Sequence, residues 1–459
     1  MLRKISSVFG KGHIQLKSVY TNATPKAFVS SCKHMMDGPE ICAVPGKVLM
    51  DEKVELQIKG LKSGAAVTVK SFLEEKGMKF GAYAHFIANS NGEVNTATSP
   101  SLGGSYKGTD AMGLYWSMIP EPGQRNGLRL MKKDVTTPYN VHISLLSGHI
   151  DPYSPNNSKV QVPVAETNIE RLYMADNVER IPVREGALRG ALFVPKGPGT
   201  FPGVMDLFGS AGGLIEHRAA LLASRGFAVL ALAYFAYEDL PDTFLDVDLT
   251  YFKEGAEWLS HHPSVTPGGI GVIGTSKGAE IALLMGIHFP QVIKAVVNVS
   301  GAAYHVFQAM KFGDEIVQVV DQDLTKLTEC EDGLCFKNIF PKEIKEECII
   351  KVELIEAPLL LFFGEDDPSF DAPQSAQIFS KRLHCCGHKD YEIHVYDGAG
   401  HLIEPPYAPH CKGSYHKFLG TNMAWGGDAQ PHIKAEVHHW KRTLEFFRKH
   451  LSAPVFSRL

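Results

Sequence analysis

Ser276 sits at the centre of Gly274-Thr275-Ser276-Lys277-Gly278, the one G-x-S-x-G pentapeptide in this chain. A serine hydroxyl is a poor nucleophile at neutral pH and attacks a carbonyl only when a neighbouring base removes its proton. Histidine supplies such a base, and a carboxylate holds the imidazole in the right tautomer and stabilises the imidazolium. Both residue types follow downstream. Asp367 ends the run Gly364-Glu365-Asp366-Asp367, and His401 ends Gly398-Ala399-Gly400-His401. Asp366 competes with Asp367 for the carboxylate role, and composition does not choose between them. Acyl transfer also needs donors for the oxyanion that develops during attack. The backbone N–H of Lys277, the residue after the serine, is one candidate. Ser210 and Ala211, in the small-residue loop Gly209-Ser210-Ala211-Gly212-Gly213, are the others.

These groups meet only if the chain folds them together, and its hydrophobic pattern supplies the means. Phe201 to Phe208, Phe227 to Ala233, Gly269 to Ile273, Ile293 to Val299, Ala357 to Gly364 and Tyr391 to Tyr396 are short apolar runs that read as buried strands. Helical patterns alternate with them at Gly212 to Arg225, Val247 to His261, Lys277 to Ile287, Ala372 to Leu383 and Ile433 to Leu451. Near-continuous apolar strands alternating with amphipathic helices predict a mostly parallel sheet with helices on both faces. Ser276 then stands at a strand-to-helix elbow. Asp367 and His401 fall just past strand C-termini, where open α/β sheets bind ligands. Ser…Asp…His is the chain order of α/β-hydrolases. The competing reading of Ser276, an ordinary helix N-cap, accounts for none of this context.

From about Val44 to Val164 the pattern changes. Val54, Leu56 and Ile58 alternate with polar residues, as do Val141, Ile143 and Leu145. Met78 to Ala88 and Ala111 to Met118 read as further strands, and turn signals recur at Lys62-Ser63-Gly64, Asn91-Gly92, Gly103-Gly104 and Asn126-Gly127. Short alternating strands between regular turns predict an antiparallel β-sandwich over residues 44–165, placed before a hydrolase domain over residues 175–456. Within the latter, Gly301 to Val352 lacks clean periodicity and reads as an insertion that caps the nucleophile. Phe307, Met310, Phe312, Phe336 and Phe340 are its candidates for an apolar tunnel wall, although core packing is the commoner fate of any one of them.

Several stretches jointly resemble a known family: GTSKGAE, DLFGSAGGLIEHRA, LALAYFAYEDLP, and GAGHLIEPPY followed by WGG and a long C-terminal helix. They are similar to the type I acyl-CoA thioesterases, a family that includes the bile acid-CoA:amino acid N-acyltransferases. The resemblance runs from about Val44 to Leu451. It implies a Ser/Cys–Asp–His triad, with Asp367 as the acid by its offset from His401, and an acyl-CoA substrate. Coenzyme A is then part of the substrate, and no motif points to a metal or other cofactor. The amino-acid transferases of the family typically carry cysteine at the nucleophile position, so Ser276 implies hydrolysis; some serine members resemble fatty-acid N-acyltransferases to taurine. An oxygen ester is less reactive toward amines than a thioester, so water resolves it more readily. The remaining readings are a carboxylesterase or dienelactone-type hydrolase, which lacks the appended sandwich, and a non-catalytic binding protein, which has no use for the triad.

Composition bounds the rest. A net charge of −4 disfavours a nucleic-acid partner, and no apolar run approaches the ~18 residues of a membrane span. The eight cysteines show no C-x-x-C and fit a reduced compartment. Residues 1–36 hold six Lys or Arg and no acid, with Leu2, Ile5 and Phe9 near helical spacing, the pattern of a mitochondrial transit segment. Ser457-Arg458-Leu459 resembles the Ser-Lys-Leu peroxisomal address and gives the alternative location. Lys277, Lys311 and Lys412 are the candidate cations for coenzyme A phosphates.

Overall fold

The computed structural model describes residues 38–154, 161–244, 247–307, 310–312 and 315–451. The basic segment 1–36 and the tripeptide 457–459 lie outside the described residues. Eight strands build the larger sheet: β1 (Val178–Glu185), β2 (Leu188–Pro195), β3 (Gly203–Leu207), β4 (Ala228–Ala233), β5 (Ile270–Thr275), β6 (Ile293–Val299), β7 (Leu359–Gly364) and β8 (Tyr391–Tyr396). Their spatial order is β1-β2-β4-β3-β5-β6-β7-β8. β1 and β2 run antiparallel to each other, β2 runs antiparallel to β4, and every later neighbour is parallel. The residues of β3 to β7 are almost all buried, which explains why these strands read as unbroken apolar runs rather than as alternation.

Helices cover both faces. α1 (His217–Ser224) and α5 (Ala429–Leu451) pack one side, while α2 (Leu249–Ser260), α3 (Lys277–His288) and α4 (Ala372–Cys385) pack the other. Asp248 and Asp371 cap α2 and α4 by accepting hydrogen bonds from Thr250 N and Gln374 N. α1 starts at His217 rather than at Gly212, because Gly212 and Gly213 adopt left-handed backbone (φ +67° and +78°) that carries the loop on to Glu216.

A buried ion pair ties this framework to the serine turn. Arg218 of α1 donates from Nε to Asp206 Oδ1 of β3 at 2.8 Å and from a terminal nitrogen to Thr275 Oγ1 at 2.6 Å. Both charged side chains are almost wholly buried. The pair therefore registers α1, β3 and the end of β5 against one another.

The N-terminal part is a sandwich of a six-stranded and a three-stranded sheet. The larger has the order Lys47–Leu49, Ala165–Leu172, Tyr139–Ser147, Ala66–Glu75, Met78–Ile87, Ile119–Pro120, and the smaller Glu40–Val44, Glu55–Lys59, Val94–Asn95. Pairing is antiparallel except between Lys47–Leu49 and Ala165–Leu172. Val54, Leu56 and Ile58 point inward and are fully buried, as their alternation predicts. Ala111 to Met118 is not a strand. Its centre, Gly113–Trp116, is a short helical turn buried beneath the larger sheet, and Gly113 lies so close to the Tyr106 ring that any Cβ would overlap it.

The sandwich and the α1/α5 face of the hydrolase share one continuous apolar core. Asp51 fastens the seam: its carboxylate accepts from Arg225, just after α1, at 2.5 and 2.8 Å, and from the Trp440 indole N–H of α5 at 2.7 Å. Arg129 forms a second tie, to Glu404, which also faces His217. Burial works against the Glu404 charge, but Arg129 and His217 outweigh it and hold the carboxyl below the usual range. Replacing Arg218 by leucine strands Asp206 as an uncompensated buried charge. The variant should lose about 3–5 kcal/mol in urea unfolding; a loss below 1 kcal/mol would mean that the pair does not hold the sheet.

Candidate active site

Ser276 adopts φ +56° and ψ −122°, a left-handed conformation that a non-glycine residue enters only under constraint. The constraint is visible. Its N–H donates to Val299 O of β6 at 2.9 Å, while its own carbonyl starts α3. The two glycines of the pentapeptide are required by close approach: a Cβ on Gly274 would lie 2.0 Å from Gly278 O, and one on Gly278 would lie 2.6 Å from Phe208 O. The result is a serine held half-buried above the sheet at the N-terminus of a helix.

His401 and Asp367 meet as the spacing predicts. His401 Nδ1 lies 2.6 Å from Asp367 Oδ2, and both side chains are about 1% exposed. The other carboxylate oxygen, Oδ1, accepts from Ser369 N at 2.7 Å. Asp366, the competing acid, is exposed and makes no such contact. The His401 ring is sandwiched by aromatics, with Trp425 stacked on it (5.6 Å, 16°) and Phe370 edge-on. The His401 backbone N–H donates to Trp425 O at 2.7 Å, so the WGG stretch of the sequence braces the histidine loop directly.

Ser276 and His401 open onto one cavity of about 1220 Å³. Ser210 and Ala211 line the same cavity, and Gly209 presses so closely on Ser276 that a Cβ there would lie 2.9 Å from the serine Cβ. The loop is pinned from behind by Tyr234, whose hydroxyl donates to Phe208 O and to Gly209 O. The Lys277 side chain points away from the cavity. Its ammonium is buried 2.9 Å from Glu280 Oε2 and 3.0 Å from Val306 O, with His305 on the other Glu280 oxygen. Burial opposes the Glu280 charge, but Lys277 and His305 prevail and lower its pKa. Lys277 is therefore no phosphate ligand through its side chain. Lys412 pairs with Asp428 at 2.9 Å, and neither it nor Lys311 lines the cavity.

The cavity wall is aromatic. Of the residues in the 301–352 insertion expected to line it, Phe307 and Phe336 do. Phe340 packs behind them against Tyr304 and Phe370, Met310 is buried in the core, and Phe312 packs on His288 and Phe289. Part of the insertion, Gly333–Cys335, joins the strands Thr421–Ala424 and Gly413–His416 in a small sheet over the site.

That small sheet brings a histidine that sequence reasoning missed. His416 Nε2 lies 3.2 Å from Ser210 Oγ, and the ring is buried with Nδ1 unpartnered among the described residues. Burial pushes its pKa down to about 4, so the imidazole is neutral at physiological pH. With 20 histidines in the chain, no local signal marks this one. Asp206 and Arg218 did carry a signal: an acid inside an apolar strand calls for a buried partner.

A doubly wound sheet in this order, with a strained serine elbow and a buried Asp–His pair above its C-terminal edge, defines the α/β-hydrolase class. The family profile "Acyl-CoA thioester hydrolase/BAAT N-terminal region" matches residues 51–185, and "BAAT / Acyl-CoA thioester hydrolase C terminal" matches residues 247–453. Three mouse (Mus musculus) relatives match almost end to end. Acyl-coenzyme A amino acid N-acyltransferase 1 is 40% identical over 90% of this chain and 98% of its own length. Peroxisomal succinyl-coenzyme A thioesterase is 37% identical over 89% and 96%. Acyl-coenzyme A thioesterase 2, mitochondrial, is 38% identical over 89% and 88%. The chain belongs to the acyl-CoA thioester hydrolase/BAAT family.

His416 titrates in the unfolded chain near pH 6.5 but in the fold only near pH 4, so its contribution to stability is lost as pH falls through that window. Thermal unfolding from pH 7 to 4 should therefore fall more steeply for the unsubstituted protein than for His416→Gln. Parallel curves would mean that burial does not lower the pKa of this ring in the fold.

Proposed function

We propose that the protein hydrolyses fatty acyl-CoA thioesters, of medium to long chain, to free fatty acid and coenzyme A. The observation that carries this reading is the buried His401–Asp367 pair, 2.6 Å apart, opening with Ser276 onto a large cavity with an aromatic wall. In the mechanism we infer, Ser276 Oγ attacks the thioester carbonyl while His401 takes its proton, and Asp367 stabilises the imidazolium. The backbone N–H groups of Lys277 and of Ser210 or Ala211 hold the oxyanion. Collapse expels the coenzyme A thiolate, to which His401 returns the proton, and leaves an acyl-serine ester. His401 then deprotonates water, which attacks the ester; the acyl–Oγ bond breaks, His401 returns the proton to Ser276 Oγ, and the acid leaves.

The side chains that line the cavity fit an acyl chain better than a small polar acyl group. Phe244, Phe307, Phe336, Phe370, Phe418 and Met423 offer it an apolar path. The second reading, N-acyl transfer to taurine or glycine, is favoured by the 40% identity to an amino acid N-acyltransferase. The two share every step up to the acyl-enzyme and differ in whether water or an amine resolves it. We assign the enzyme to the mitochondrial matrix on its acid-free, basic residues 1–36, with the peroxisome as the alternative through Ser457-Arg458-Leu459. Internally tagged full-length protein should co-localise with a matrix marker, and a form started at Met35 should not; identical distributions would remove the role of residues 1–36.

Purified protein incubated with palmitoyl-CoA, with and without taurine or glycine, should release thiol and give free palmitate in every case by mass spectrometry. Palmitoyl-taurine or palmitoyl-glycine as the main product would replace hydrolysis by transfer. Ser276→Ala should lower turnover by at least about 10³-fold with unchanged circular dichroism; undiminished turnover would overturn the assignment of the nucleophile.

A further inference from the structure

Coenzyme A separates its reactive and charged ends. The thiol terminates an uncharged pantetheine arm, and a diphosphate and a 3′-phosphate sit on the adenosine side. The cavity is divided in the same way. Six cations line it, Lys76, Arg125, Arg129, Lys132, Lys133 and Lys417, against the single carboxylate of Glu75, in a chain whose net charge is −4. Two of the six are already neutralised inside the fold: Lys132 lies 3.0 Å from Glu75 Oε2, and Arg129 is held by Glu404. Lys76, Arg125, Lys133 and Lys417 are exposed and make no ion pair with any described residue. The Arg125 guanidinium lies over the Tyr415 ring at 5.9 Å, and Lys76 acts on the exposed carboxylate of Asp134, which does not line the cavity.

These four come from separate places in the chain. Lys76 occupies the turn between the strands Ala66–Glu75 and Met78–Ile87, and Arg125 and Lys133 lie in the segment after Ile119–Pro120. Lys417 lies in the turn between Gly413–His416 and Thr421–Ala424 of the hydrolase part. Unpaired cations from both halves of the protein thus converge on the mouth of one cavity, while the wall nearer His401 is aromatic. Like charges gathered with so few carboxylates beside them repel one another, and a bound anion relieves that repulsion.

We propose that Lys76, Arg125, Lys133 and Lys417 form the phosphate cradle for the adenosine diphosphate and 3′-phosphate of the coenzyme A thioester, an assignment that rests on the acyl-CoA reading above. The N-terminal sandwich is then a substrate-binding domain that supplies three of the four cations, with Arg125 able to grip a phosphate in bidentate fashion. Exposed cations act mainly by focusing field lines into the mouth, so the effect falls on capture of the substrate and is screened by salt.

The test compares acyl-CoA with the same acyl group on N-acetylcysteamine, a thioester without phosphates, and with the 3′-dephospho-CoA thioester. Two double variants, Lys76→Glu with Lys133→Glu and Arg125→Glu with Lys417→Glu, should lower kcat/KM on acyl-CoA by about tenfold or more relative to that on the N-acetylcysteamine thioester, through KM. Added salt should slow the unsubstituted protein more than the variants on acyl-CoA, and the dephospho substrate should show an intermediate loss. An equal fall on both thioesters, or no fall on acyl-CoA, would overturn the cradle. If the unsubstituted protein releases thiol from neither substrate, the acyl-CoA reading itself fails.

Discussion

The turn that holds Ser276 in left-handed backbone constrains more of this molecule than any other contact. A non-glycine residue in that conformation costs roughly 1–3 kcal/mol, and the surrounding structure must keep it there. β5 delivers the serine and α3 leaves from it, while Val299 O of β6 takes its N–H and the Phe208 backbone closes on Gly278. The central strands β3, β5 and β6 and the loop that carries Ser210 and Ala211 are thereby fixed relative to one hydroxyl. Arg218 extends the same logic outward, because its guanidinium reaches Asp206 of β3 and Thr275 immediately before the serine. A perturbation at α1 is felt one residue from the proposed nucleophile.

Charge is distributed in two ways around this turn. Inside, basic side chains and carboxylates are matched closely: Arg218 with Asp206, Lys277 and His305 with Glu280, Arg129 and His217 with Glu404. Such contacts tie the elements of the framework together, each buried group having a partner close by. Along the cavity the balance shifts, and exposed cations outnumber carboxylates in its lining. The wall between is aromatic and carries two histidines. One is paired with Asp367; the other, His416, is kept neutral by burial and leans on Ser210.

Much of this was legible in the sequence because it is local. The elbow announces itself in five residues, and the buried strands in runs of five to seven. Asp367 and His401 were found because strand ends gather ligands, and because the chain order Ser…Asp…His is itself a constraint. The choice of Asp367 over Asp366 was not legible from the residues alone. Two adjacent acids point in different directions after β7, and only the fold sends the first to solvent and the second to the histidine. His416 meets Ser210 across 206 residues of chain, the Tyr234 pin reaches back from the next strand, and the basic rim gathers residues from both halves; no periodicity encodes these contacts. Two elements were misread for reasons of packing. Gly113–Trp116 has strand-like composition but folds as a helical turn under the sheet, and the left-handed glycines at 212 and 213 delay α1.

The mouth of the cavity has one jaw on each half of the protein, and the halves meet where Asp51 grips Arg225 and Trp440. Its aperture is therefore a mechanical property of the seam. The contacts that join the two halves thereby also set how far apart the two jaws stand.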